Sequence, residues 1–152
     1  MLTAMNRGGI GAHSINDMLQ SQLNNNDTSS KVTRYGRTFS LGDKVIQLVN
    51  NYDKDVFNGD IGIITLIDTT EPEVIVNFDG ITIRYDFNEL NEISLAYATT
   101  IHKSQGYEYP CVVMTIAMQN YLMLEQNLIY AGVTRGEKWW LSLDKRKRLV
   151  SL

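Results

Sequence analysis

Ten consecutive residues, Thr99-Thr100-Ile101-His102-Lys103-Ser104-Gln105-Gly106-Tyr107-Glu108, are dense in hydrogen-bonding groups and lie between two apolar, strand-like runs. Hydroxyls, an amide, a lysine and a glycine in one short stretch suit phosphate oxygens, and such loops bind ligands when they leave the carboxyl ends of parallel strands. The plain alternative is a solvated loop with capping threonines. A second stretch, Leu128-Ile129-Tyr130-Ala131-Gly132-Val133-Thr134-Arg135-Gly136, ends an apolar helical pattern on one arginine. A planar, always-charged guanidinium can grip phosphate in bidentate geometry, which lysine cannot do. Its competing reading is a favourable pairing with the helix C-terminal dipole.

Other chemistry is excluded more simply. Cys111 is the single cysteine, so it has no internal disulfide partner, and His13 and His102 give no metal-ligand spacing beside it. No metal site is expected. Lys145-Arg146-Lys147-Arg148 could touch DNA, although a terminal charge run usually reads as a solvated tail. Cys111, Met114 and Met118 read as core filling and His13 as ordinary surface, while Trp139 and Trp140 must point to opposite sides of a strand.

These residues need a scaffold, and the pattern around them changes twice. With 152 residues, 43% of them hydrophobic, 20% charged, and a formal charge of −3, the chain has globular composition and no generally basic coat. It has no apolar run of the roughly 18 residues that a membrane helix needs, and no basic-then-apolar leader, so a cytoplasmic protein is expected. Between Gly36 and Leu95 there are 11 acidic residues against 4 basic ones, while the flanks are basic on balance. That asymmetry suggests an inserted unit with its own surface, inside a unit that faces something anionic.

The hydrophobic periods agree. Ser14 as N-cap, with Asp17 three positions on and Ile15, Met18, Leu19 and Leu23 on one face, predicts a helix; residues 27–37 read as a linker or an exposed excursion. Lys44–Val49, Ile61–Ile67, Val74–Phe78 and Ile81–Tyr85 are strand-like, with hairpin signals at Asn58-Gly59 and Asp79-Gly80. So few short strands bury a core by curling into a small, SH3-like antiparallel barrel, assigned here to residues 36–94. Residues 1–35 and 95–152 then form an α/β unit, with buried parallel strands at Leu95–Ala98 and Cys111–Ala117, a helix over Leu122–Thr134 and a last strand at Trp139–Leu143. These are too few strands for a complete doubly wound domain, so the chain reads as a piece of a larger protein.

The order Gly59-Asp60-Ile61-Gly62, then Thr100 to Glu108, then Val133-Thr134-Arg135 resembles the C-terminal motor domain of RecD/TraA-family superfamily 1 DNA helicases. Leu2 to Gln20 is similar to the region of helicase motif IV, and Asn50 to Gly62, with Val56 to Gly62 at its end, to the entry of the family's inserted SH3-like barrel. Ala98 to Tyr109 resembles motif V, where Ile101-His102-Lys103-Ser104-Gln105-Gly106 is specific, and Asn127 to Arg135 resembles motif VI. The resemblance departs in two places, at Glu125-Gln126 before Asn127 and at Gly136 after Arg135.

The resemblance implies a translocating ATPase of two RecA-like lobes, of which this chain is most of the second. Thr100, His102 and Lys103 would then face DNA, and Gln105, Gly106 and Glu108 would lie nearer the nucleotide. Arg135 would be both a nucleotide contact and the arginine finger. No G-x-x-x-x-G-K-[ST] loop occurs in the chain, so ATP and Mg²⁺ would be held mainly by an N-terminal lobe outside this sequence. The chain alone is not expected to hydrolyse ATP. Its implied partners are single-stranded and duplex DNA, that N-terminal lobe, and a recombination or conjugation complex. The acidic barrel would guide or split strands by shape rather than by broad phosphate binding. The rival reading is a non-catalytic module, a small barrel binding protein or nucleic acid on an α/β stub; an upstream phosphate loop in the full gene product separates the two.

Overall fold

The computed structural model describes residues 1–3, 11–25, 30–101, 109–116, 130, 134, 136–144 and 149–150. In chain order the elements are β1 (Leu2–Thr3), α1 (Ala12–Leu23), β2 (Lys31–Arg34), β3 (Arg37–Ser40), β4 (Lys44–Gln47), β5 (Ile61–Asp68), β6 (Glu73–Phe78) and β7 (Ile81–Asp86). A 3₁₀ helix (Phe87–Glu92) follows, then β8 (Ile93–Leu95), β9 (Thr99–Thr100), β10 (Tyr109–Ile116), β11 (Gly136–Asp144) and β12 (Leu149–Val150). Two compact units result, Met18–Tyr97 and Met1–Asp17 with Ala98–Leu152.

In the first of these units an antiparallel sheet runs in the order β7-β6-β5-β4-β8, and β2 and β3 form a separate hairpin. Strict alternation puts Val74, Val76 and Phe78 of β6, and Ile83 and Tyr85 of β7, on one buried face. Val32 and Phe39 of the hairpin, Val45, Ile64, Leu90 and Ile93 join the same core. Burying each such side chain contributes about 1.5–3 kcal/mol. Asp79 and Gly80 have φ of 48° and 94°, so the Asp-Gly turn takes the left-handed pair that a two-residue hairpin between Phe78 and Ile81 requires. The fold is SH3-like; its two end strands, β7 and β8, have no pairing with each other among the described residues.

Several sequence expectations are corrected here. Residues 31–40, inside the expected linker and beyond it, form the β2–β3 hairpin across Tyr35-Gly36, at φ 52° and 70°. Only Val32 and Phe39 are apolar and turned inward, too few to show a period of two. Asn58-Gly59 lies within the connection between the paired strands β4 and β5 but is not itself a two-residue hairpin turn. It makes a turn closed by Asp60 N to Phe57 O (3.0 Å), and residues 48–60 form a longer excursion tied by the Asn51–Val56 bridge. Leu95 is not in a parallel strand either: it pairs antiparallel with Val45, and the parallel strand begins at Thr99.

The other unit is built on a sheet ordered β12-β11-β10-β1-β9, parallel from β9 through β11, with β12 antiparallel at the edge. Leu2, Val112 and Met114 are buried in it. The expected helix over Leu122–Thr134 lies outside the described residues except for Tyr130 and Thr134, joined by a helical-type bond from Thr134 N to Tyr130 O (3.0 Å).

Helix α1 starts at Ala12, so Ser14 lies within its first turn rather than capping it. Ala12, Ile15 and Asn16 are buried, whereas Met18 and Leu23 are 56% and 68% exposed. The expected apolar stripe therefore ends halfway. Further along, the face is held by amides: Asn16, Gln20 and Asn24 recur every four residues on one side of the helix, and each makes long-range hydrogen bonds.

Candidate functional site

Strand β9 sits at the edge of the parallel sheet, with Thr99 N bonded to Met1 O (2.9 Å) and Ile101 N to Thr3 O (3.0 Å). Thr100 and Thr3 are register partners, 6% and 0% exposed. Thr100, read as DNA-facing, is thus packed within its unit. From the carboxyl end of β9 the chain passes through residues 102–108 and rejoins the sheet at Tyr109, the amino end of β10, with β1 lying between the two strands.

His102, Lys103, Gln105, Gly106, Glu108 and Arg135 lie outside the described residues, but their flanks are fixed. Tyr109 follows Glu108, Gly136 follows Arg135, and Tyr109 and Gly136 are Cα partners across β10 and β11. Neighbouring strands stand about 4.8 Å apart. Tyr109 and Gly136 therefore begin their strands at the same edge of the sheet, the amino edge. The start of the first polar stretch belongs to the opposite, carboxyl edge, at β9.

Two side chains that sequence reasoning passed over hold this arrangement and its neighbour. Asn16, 5% exposed, donates from Nδ2 to Ala98 O (2.8 Å) and accepts at Oδ1 from Ala98 N (2.8 Å). Within the SH3-like unit, Asp43 is fully buried and accepts from Ser40 N (2.7 Å), Gln20 Nε2 (2.5 Å), Asn24 Nδ2 (2.7 Å) and Tyr97 Oη (2.9 Å). Burial, and then the hydrogen bond to Asp43, push the Tyr97 hydroxyl up from 10.0 to about 12. The four-residue spacing of the amides was the visible signal for Asn16, Gln20 and Asn24; Asp43 stands between Gly42 and Lys44 and looks like a turn residue.

A surface groove in the SH3-like unit is lined by Lys54, Glu71, Pro72, Glu73, Arg84, Asp86 and Glu89. Lys54 Nζ is bound to Glu89 and to Arg84 O (2.9 Å), and Arg84 Nε lies 3.4 Å from Glu73. Burial alone would raise the Glu89 pKa, but its bonds to Lys54 and to the Asp86 backbone lower it overall. With both cations engaged by acids or carbonyls, the groove is a poor phosphate cradle. Among the described residues no group of three His, Cys, Asp or Glu is placed to hold a metal, and no helix is long and apolar enough to cross a membrane.

A mostly parallel five-stranded sheet, with an SH3-like antiparallel unit between its sequence halves, is the class that the fold defines. Comparison with known proteins narrows the class. Residues 15–78 match the family model of the ATP-dependent RecD-like DNA helicase SH3 domain, and residues 95–141 that of the UvrD-like helicase C-terminal domain. The chain is 30% identical over 142 residues to the ATP-dependent RecD2 DNA helicase of Deinococcus radiodurans, covering 93% of this chain and 19% of that protein. It is 24% identical to the RecBCD enzyme subunit RecD of Buchnera aphidicola, over 91% of this chain and 23% of the relative. A solved structure of two coordinating Pif1 helicases at forked double-stranded DNA shares the fold, with TM-score 0.59 at 18% identity over 89% of this chain and 36% of that one. Bacteroides Pif1 bound to single-stranded DNA aligns equally, with TM-score 0.59 at 14% identity over 89% and 37%.

The chain is thus similar, over most of its length, to the C-terminal part of RecD-like superfamily 1 DNA helicases. It spans only 19% and 23% of those two curated relatives.

Proposed function

We propose that this chain is the C-terminal part of an ATP-dependent DNA helicase, supplying motifs IV, V and VI to a nucleotide site completed by an N-terminal lobe. The observation that carries this reading is the Tyr109–Gly136 register, which brings the residues after Glu108 and Arg135 side by side. Arg135, the residue before Gly136 in the chain, would cross a lobe interface to the γ-phosphate, and Gln105, Gly106 and Glu108 would contact the same nucleotide. His102 and Lys103, which follow Ile101 in the chain, take the DNA strand. Thr100, being buried, supports the strand end from which they depart.

The chemistry follows from charge. In phosphoryl transfer, negative charge spreads over the equatorial oxygens, and a guanidinium aimed at them lowers the barrier; a thousandfold effect corresponds to about 4 kcal/mol. ATP and Mg²⁺ are held mainly by the N-terminal lobe, so this chain alone does not turn over ATP. Closure on ATP and opening after hydrolysis move one lobe against the other and step the strand. The acidic SH3-like unit guides the strand by shape. The relative named as a RecBCD subunit supports a recombination or repair role, with a conjugation complex as the other setting.

The test is steady-state ATP hydrolysis by the full-length gene product with and without single-stranded DNA, beside this chain alone. Stimulated turnover by the full protein, and none by the chain, is expected. A full-length protein without DNA-stimulated hydrolysis would overturn the reading in favour of a binding module.

A further inference from the structure

We infer that Asn16 is a positioning residue for the DNA-facing start of the 99–108 segment, an assignment that rests on the function proposed above. Ala98 stands one residue before β9, outside the ladder, and is 1% exposed. Buried there, its N–H and C=O would both lack strand partners. Asn16 meets both with one side chain, Nδ2 to Ala98 O and Oδ1 from Ala98 N, each at 2.8 Å. Reversing the amide would set donor against donor and acceptor against acceptor, so the pair fixes its orientation. Asn16 thus extends the sheet by one residue from the helix side, while Met1 O and Thr3 O hold Thr99 and Ile101 from the strand side.

The consequence is directional. The backbone from Ala98 to Ile101 is gripped on two sides just before His102 and Lys103, whereas the amino edge, where Tyr109 and Gly136 meet, is set by β10 and β11 and does not involve Asn16. Loosening this grip spreads the positions from which the segment departs and weakens the hold on DNA, leaving the ATP contacts nearly intact. A merely structural asparagine would instead lower every activity in proportion to the folded fraction.

The experiment uses the full-length protein with Asn16→Asp, which keeps the acceptor for Ala98 N and turns an oxygen against Ala98 O; Asn16→Ser replaces it should that variant not fold by circular dichroism. The DNA concentration giving half-maximal ATPase stimulation and the KM for ATP are measured on a single-stranded oligonucleotide. The half-stimulating DNA concentration is expected to rise about tenfold, equivalent to about 1.4 kcal/mol, with KM for ATP within twofold of wild type. An unchanged half-stimulating concentration, or equal changes in both quantities, overturns the inference alone. A wild-type protein that DNA does not stimulate overturns the helicase reading and this inference with it.

Discussion

Replacing Asp43 with alanine takes one acceptor away from four donors at once. Oδ2 serves Ser40 N and Gln20 Nε2, and Oδ1 serves Asn24 Nδ2 and Tyr97 Oη. The donors are not equally exposed to the loss. Gln20 and Asn24 keep second bonds to Thr38 O (3.0 Å) and Leu41 O (2.9 Å), so they retain partners. The Ser40 N–H, on a residue 3% exposed, and the half-buried Tyr97 hydroxyl lose the acceptor that Asp43 gave them. A buried polar group left unsatisfied costs about 1–3 kcal/mol, and relief of the carboxylate's own desolvation returns part of that. The net expectation is a loss of about 3 kcal/mol, read as ΔΔG from urea unfolding followed by far-ultraviolet circular dichroism. Asp43→Asn is expected to lose about 2 kcal/mol rather than nothing, because its NH₂ must face two of the donors. A ΔΔG below 1 kcal/mol for Asp43→Ala would refute the claim that this carboxylate joins α1, β3 and Tyr97.

Gly62 lies in β5, where an added Cβ would stand 2.6 Å from Val76 Cγ1, 2.8 Å from Asn77 O and 2.9 Å from Phe78 Cδ1. Because one of these atoms is backbone, Gly62→Ala is expected to cost about 2–3 kcal/mol in the same unfolding assay, and a neutral substitution would contradict the close approach of β5 and β6. Tyr97 titrates at about 12 in the fold against 10.0 ordinarily, so between those values the folded state binds the extra proton and stability falls as pH rises. Tyr97→Phe should make stability decline less steeply over that window; an identical slope would show that Tyr97 does not contribute.

How much could be read in advance depended on whether a residue's role was local. The strands β5 to β7 were legible because Ile64, Val74, Val76, Ile83 and Tyr85 alternate with outward residues, and Asp79-Gly80 is a turn that chemistry nearly dictates. The β2–β3 hairpin was not, since Tyr35-Gly36 lacks an Asn or Asp and its strands carry charges at Lys31, Arg34 and Arg37. Leu95 was misplaced because an apolar residue serves either sheet equally well; its pairing with Val45 is decided across fifty residues of chain. The polar segments around Lys103 and Arg135 were visible by composition and by resemblance, but that Tyr109 and Gly136 are strand partners could come only from the sheet. Asn16 and Asp43 escaped notice for the same reason: their partners Ala98 and Tyr97 are far away in sequence, and only the four-residue spacing with Gln20 and Asn24 pointed to Asn16.

The most direct test of the central claim is ATP turnover by the full-length protein carrying Arg135→Ala, at saturating single-stranded DNA, with nucleotide affinity measured separately by a fluorescent ATP analogue. The account predicts that kcat falls by about a thousandfold while affinity changes by no more than a few-fold, and that Arg135→Lys recovers little of the loss. Turnover at the wild-type rate in Arg135→Ala would contradict it.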